Sequence, residues 1–205
     1  MTIAFYENHA RHPLGAATLV LVDLCYSNLT ENTDLSAPAT AGILERCQTA
    51  LQTARRFGVP VVFVHDHRSG DVSRLTGRSR WFTGFEPRRY ESVVASSGPS
   101  CYASPYFSEI LDGSGRTLLV AGLLGLSAAR ATAEDAARHG HRLVVLSDAV
   151  AFDSCDLVPE TQDNGGQSRP GAHAVSTGDW ITEISPAPPP RSASWHQGSQ
   201  LRRSS

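Results

Sequence analysis

A chain of 205 residues, 40% hydrophobic and 19% charged, has the size and composition of one globular domain. Its 20 acidic and 18 basic residues leave a formal charge of −2, too balanced to hold nucleic acid or an anionic membrane surface, so small molecules and other proteins remain as partners. All the basic residues are arginine, and a chain without lysine excludes every mechanism that needs a lysine amine.

The first residues, MTIAFYENHARHP, lack a basic stretch followed by an apolar run, and no apolar segment approaches the roughly 20 residues of a membrane span. A cytoplasmic location is expected. Residues 16–22 are a short apolar run that ends in Asp23, the pattern of a strand buried on both faces of a parallel sheet. Over 39–57, Ile43, Leu44, Cys47, Leu51 and Ala54 recur at helical spacing, and Gly58 supplies a left-handed stop. Residues 59–65 (VPVVFVH) repeat the strand pattern, so the first two strands are expected to be parallel neighbours joined by a right-handed crossover. The 69–89 segment is polar, rich in Arg and Gly and without periodicity; it reads as a long loop carrying Arg78, Arg80, Trp81 and Phe82.

A weaker strand follows at 91–96, and Ser104-Pro105 marks a helix start, with the helix running to about residue 111. Residues 116–122, 127–139 and 141–147 form another strand, helix, strand unit, with Gly140 closing the helix. No helix or strand template fits 149–172, and a last strand is expected at 173–177. The domain is taken as 1–184. Residues 185–205, rich in Pro, Ser and Arg, read as a disordered tail. The four cysteines, 25, 47, 101 and 155, have neither disulfide nor zinc spacing and read as free thiols.

Asp23 at the first strand end, the Ser100-Cys101-Tyr102 link and the run GLLGLSAARATAEDAARHGHRLVVLSDA at 122–149 together resemble the isochorismatase-like, or cysteine hydrolase, superfamily over about residues 16–150. The resemblance implies a three-layer α/β fold: a mainly parallel six-stranded sheet in the order 3-2-1-4-5-6 with helices on both faces. Ligands then belong at the carboxyl ends of its central strands. It also implies a catalytic Asp, Lys and Cys. Carried over, the acid falls on Asp23, the lysine position on Ser96 and the nucleophile position on Ala128, so a covalent thioester route is closed. The family turn at 123–128 implies a cis peptide at Leu123–Leu124 that aims backbone N–H groups at an oxyanion.

Further candidates are weighed against plainer roles. Leu124, Arg80, Trp81, Tyr102, Cys25 and Cys101 are candidates for substrate contact, the arginines as two-pronged carboxylate grips. Cys25 and Cys101 are also candidates for a displaced nucleophile, although free cysteines are more often packing residues. His65 and His67 lie where nicotinamidases carry metal ligands. No further ligand is evident, so solvated loop imidazoles are the favoured reading and no metal is expected.

The resulting expectation is a small-molecule hydrolase or lyase, with Asp23 as general acid and base, no organic cofactor, and association as a homodimer. A step in specialised biosynthesis would suit it. The alternative is a catalytically inactive member that binds a metabolite or a partner subunit.

Overall fold

The computed structural model describes residues 17–26, 37–66, 81–111, 117–152, 161–162, 168–169 and 172–185. The chain begins with β1 (Ala17–Val22), α1 (Pro38–Phe57), β2 (Val61–Asp66) and β3 (Ser92–Ser96). It continues through α2 (Pro105–Leu111), β4 (Thr117–Gly122), α3 (Leu126–Arg138) and β5 (Arg142–Val150). Two short strands, β6 (Thr161–Gln162) and β7 (Ser168–Arg169), precede β8 (Ala172–Val175) and α4 (Thr177–Ile184). The main sheet has six strands, all parallel, in the order β3-β2-β1-β4-β5-β8. This is the topology the resemblance implies, with β8 in the sixth place.

Every residue of β1 and of β4 is buried, which is why both read as continuous apolar runs. Alternate residues divide between two cores. Leu19, Leu21 and Phe63 face α1 and α4, packing with Leu51, Trp81 and Trp180. Val20, Val22, Val62 and Val64 face α2 and α3, packing with Phe107, Leu111, Ala129, Ala133 and Ala136. The three alanines let α3 lie close on the sheet. α1 ends at Gly58 in the left-handed conformation, φ 71°. Beside that end, Arg55 grips the Glu91 carboxylate through Nε and Nη2 at 2.7 and 2.8 Å and ties α1 to the start of β3.

Three expectations are corrected. First, β5 does not stop at residue 147: it runs to Val150, because extra residues bulge between its pairings with Val120 and Gly122. Second, the segment expected to hold no regular structure contains an antiparallel β6–β7 ladder, Thr161 opposite Arg169 and Gln162 opposite Ser168. Third, the last strand stops at Val175, and Thr177 opens a helix that the sequence pattern did not announce.

That helix, α4, has a physical start signal. Ser176 caps it by accepting from the Asp179 N–H at 3.0 Å, and Asp148 on the β5 bulge accepts from the Thr177 N–H and Oγ1 at 2.8 and 2.7 Å. The Asp of the SDA motif is therefore a cap for the following helix. Cys47 donates to the Ala149 carbonyl at 3.3 Å and joins α1 to the same bulge.

The expected tail beyond residue 185, His67, Arg78, Arg80 and Cys155 lie outside the described residues. Among the described residues, no helix is long and apolar enough to cross a membrane.

Trp180 is fully buried and is the largest side chain anchoring α4. Trp180→Ala is expected to cost about 3–5 kcal/mol in urea unfolding. A loss below about 1 kcal/mol would show that α4 is not part of the core.

Candidate active site

The central strands end together. Val22 on β1 is in register with Gly122 on β4 and with Val64 on β2. A side chain at 122 would fall onto the Val22 carbonyl oxygen, and its Cβ would lie 2.7 Å from the Val22 nitrogen; with φ at 129° besides, only glycine fits. The close approach lets the Leu123 N–H donate to the Val22 carbonyl at 3.0 Å. β1 then turns sharply. Asp23 takes φ 59°, the only left-handed non-glycine among the described residues, while its N–H donates to the Val64 carbonyl at 2.9 Å. Aspartate is among the few side chains that adopt this conformation at modest cost, and strain of this kind gathers at functional sites.

The turn places Asp23 in a cavity of about 50 Å³ at the carboxyl edge of the sheet, lined also by His65, Ser96, Ser100, Cys101 and Ala128. Three positions far apart in sequence, 23, 96 and 128, meet there. Ser96 closes β3, and its Oγ donates to the Ser100 carbonyl at 2.8 Å, so its hydroxyl serves the tight turn that follows the strand. Ser100 in turn accepts at its Oγ from the Tyr102 N–H at 3.1 Å and starts the single 3-10 turn Cys101–Ala103.

Ala128 lies in the first turn of α3. Gly125 offers that helix no side-chain cap, and its first helical hydrogen bond is Ala129 N–H to the Gly125 carbonyl. The three preceding N–H groups thus have no acceptor inside the helix, and the positive end of the helix dipole lies at the cavity.

The Thr132-Ala133-Glu134-Asp135-Ala136 block explains itself through packing. Thr132 is fully buried and its Oγ1 accepts from the Cys101 N–H at 3.2 Å, pinning the 3-10 turn to α3. Ala133 and Ala136 face the sheet, and Asp135 pairs with Arg138 on the helix surface.

Burial pushes the Cys101 thiol up to about 12, and the nearby Asp23 charge adds to the shift; a hydrogen bond with Thr132 opposes it without prevailing. At neutral pH this sulfur is a thiol. Cys25 lies on the other face: it is buried with Leu24 in the α1-side core and pairs through its backbone with Trp81.

Trp81 is in that same core, its ring 5.2 Å from Phe63, and Leu124 is buried against α2 and α3. Tyr102 leaves the cavity as well. Its ring stacks on His139 at 4.6 Å and its hydroxyl meets His141 Nδ1 at 2.7 Å, at the far end of α3. Of the six residues considered for substrate contact, Cys101 alone lines the cavity among the five that are described.

Two further expectations change. Among the described residues there is no cis peptide, so Leu123–Leu124 is trans, and the turn is made by Gly122 and by the Leu123 N–H on the Val22 carbonyl. His65 is no solvated imidazole: it is 2% exposed, because β2 continues through it to Asp66 and Trp81 covers it at 6.3 Å between ring centres. Among the described residues no cluster of His, Cys, Asp and Glu could hold a metal ion.

The fold agrees with the comparisons. An isochorismatase domain model matches residues 17–165, and the chain belongs to the isochorismatase family. It is similar in fold to an isochorismatase from Pseudomonas putida KT2440, at 18% identity over 84% of this chain and 93% of that one, with a TM-score of 0.61. A cysteine hydrolase from Pseudomonas syringae pv. phaseolicola gives 16% identity over 87% and 98%, with a TM-score of 0.64. N-carbamoylsarcosine amidase from Thermoplasma acidophilum gives 24% identity over 78% and 96%, with a TM-score of 0.55. No curated protein sequence matches the chain significantly.

The raised Cys101 pKa has a measurable consequence. A rise from 9.0 to about 12 leaves about 10³-fold less thiolate at pH 8 than an ordinary thiol has. Iodoacetamide at pH 8 should therefore leave Cys101 of the folded protein unlabelled in peptide mass spectra, while the urea-unfolded chain is labelled there. Rapid labelling of folded Cys101 would restore it as a nucleophile.

Proposed function

We propose that the chain is a small-molecule hydrolase or lyase of isochorismatase type, in which Asp23 is the general acid and base and no cysteine attacks the substrate. The observation that carries this reading is the meeting of Asp23, Ser96 and Ala128 in one cavity. In the family pattern these are the positions of the acid, the lysine and the nucleophile. Here the second holds a turn and the third has no reactive atom. Cys101, the one thiol among the described lining residues, is held protonated.

The chemistry that remains is proton transfer. Asp23 delivers a proton to a substrate atom, such as the carbon of a vinyl ether or the leaving oxygen of an ester, and then assists water in completing the cleavage. Negative charge that develops on the substrate is met by the N–H groups at the start of α3, which have no acceptor inside the helix. Arginines of the 69–89 segment, Arg80 among them, supply grips for a carboxylate substrate. The reaction needs no organic cofactor. Work in the cytoplasm, in a specialised biosynthetic step, is consistent with this chemistry.

A second reading, a catalytically inactive family member that binds a metabolite or a partner subunit, is favoured by one observation. The cavity formed by the described residues is about 50 Å³, room for a few waters but far below the roughly 300 Å³ at which ligand pockets begin.

Asp23→Asn separates the two readings, because it keeps the shape and removes the exchangeable proton. Against a panel of vinyl ethers, amides and esters, the enzyme reading expects turnover by the wild type and a fall of about 10² or more in the variant, with binding little changed. Equal turnover by both proteins would remove Asp23 from the chemistry. A wild type that binds a panel member without converting any would favour the binder.

The proposal includes association as a two-fold dimer, the commonest closed assembly. Light scattering at micromolar concentration should then give twice the 22.0 kDa of the chain, and a monomer mass would contradict it.

A further inference from the structure

We propose that His65 is the second proton-carrying group of the Asp23 cavity, an imidazole electrostatically coupled to the Asp23 carboxylate and able to reprotonate it. This rests on reading the cavity as an acid–base site. β1 and β2 are parallel neighbours with Val22 in register with Val64, so Asp23 and His65 are the next residues of adjacent strand ends, and the Asp23 N–H on the Val64 carbonyl ties the two together. Both residues line the same cavity.

Elimination points the same way. Of the described lining residues, only Asp23, His65 and Cys101 titrate, and Cys101 stays protonated. The Ser96 and Ser100 hydroxyls are engaged in their own turn. His65 is therefore the one basic group in the described lining, in a chain that has no lysine to set beside Asp23.

The Trp81 ring packs against the imidazole, and the other titratable residues of the described cavity lining are Asp23 from the end of β1 and Cys101 from the turn after β3. Asp23 is the anion among them that lines the cavity. A carboxylate beside an imidazole favours the imidazolium, and the imidazolium favours the carboxylate.

The resulting relay conserves protons. From the carboxylate–imidazolium pair, the imidazolium N–H gives its proton to the Asp23 carboxylate, and the new Asp23 O–H bond breaks as that proton passes to the substrate. The neutral imidazole then takes the proton released by the water that completes hydrolysis. Donor and acceptor both return to their starting states.

The test needs no substrate. The His65 imidazole is titrated by ¹⁵N NMR in the wild type and in Asp23→Asn. Coupling predicts that removing the carboxylate lowers the His65 midpoint by about one pH unit. Should that variant fold poorly, the Asp23 carboxyl ¹³C signal is followed instead in the wild type and in His65→Gln, where coupling predicts a rise of about one unit. A midpoint within about 0.3 unit of the wild-type value, in whichever variant is folded, overturns the proposal and leaves a packed histidine. A coupled midpoint in a protein that converts nothing in the panel would sustain the pair while removing the hydrolase reading.

Discussion

The contact between the Val22 backbone and Gly122 governs the geometry at the carboxyl edge. Here the missing Cβ at Gly122 lets β4 turn over the end of β1, and the Leu123 N–H donates to the Val22 carbonyl. With that carbonyl engaged and the Asp23 N–H held by Val64, the chain leaves β1 through a left-handed residue. That residue is a carboxylic acid. Its position depends on backbone hydrogen bonds at the ends of the sheet's central strands.

The rest of the cavity is fastened to that edge by side chains whose work is structural. Thr132 holds the Cys101 turn against α3, and Ser96 and Ser100 shape the descent from β3. Asp148 reaches from the β5 bulge to cap α4, and Cys47 ties α1 to the same bulge. The most specific motifs of the chain thus have packing explanations. What they leave over for chemistry is small: an acid, an imidazole and the open end of a helix.

Much of this was legible in the sequence. β1, β2, β4 and β5 announce themselves because strands buried on both faces are unbroken apolar runs, and α1 and α3 because their small and apolar residues recur every three or four positions. Asp23 was legible because it closes an apolar strand run, whereas Ser96 and Ala128 were placed only by the family resemblance, whose motif spacing carries the lysine and nucleophile positions onto them. α4 escaped because it has eight residues, a glycine at its second position and one dominant anchor, Trp180, and its cap from Asp148 is 29 residues away. His65 was misjudged because periodicity does not show that β2 continues through it to Asp66, and the covering Trp81 comes from the far side of a long segment. Trp81, Leu124 and Tyr102 seemed to belong to the site through nearness in sequence, yet burial on one face or the other of the sheet decides otherwise.

In the proposed reaction Asp23 donates a proton in the chemical step, in a cavity whose one thiol among the described lining residues, Cys101, stays protonated. The measurement that addresses this most directly is turnover of the best panel substrate in H₂O and in D₂O at matched positions on the pH profile. Slower turnover in D₂O, with no covalent adduct on the chain in intact-mass spectra of the quenched reaction, is what the account predicts. Equal rates in the two solvents, or an adduct of substrate mass on Cys101 or another residue, would contradict it.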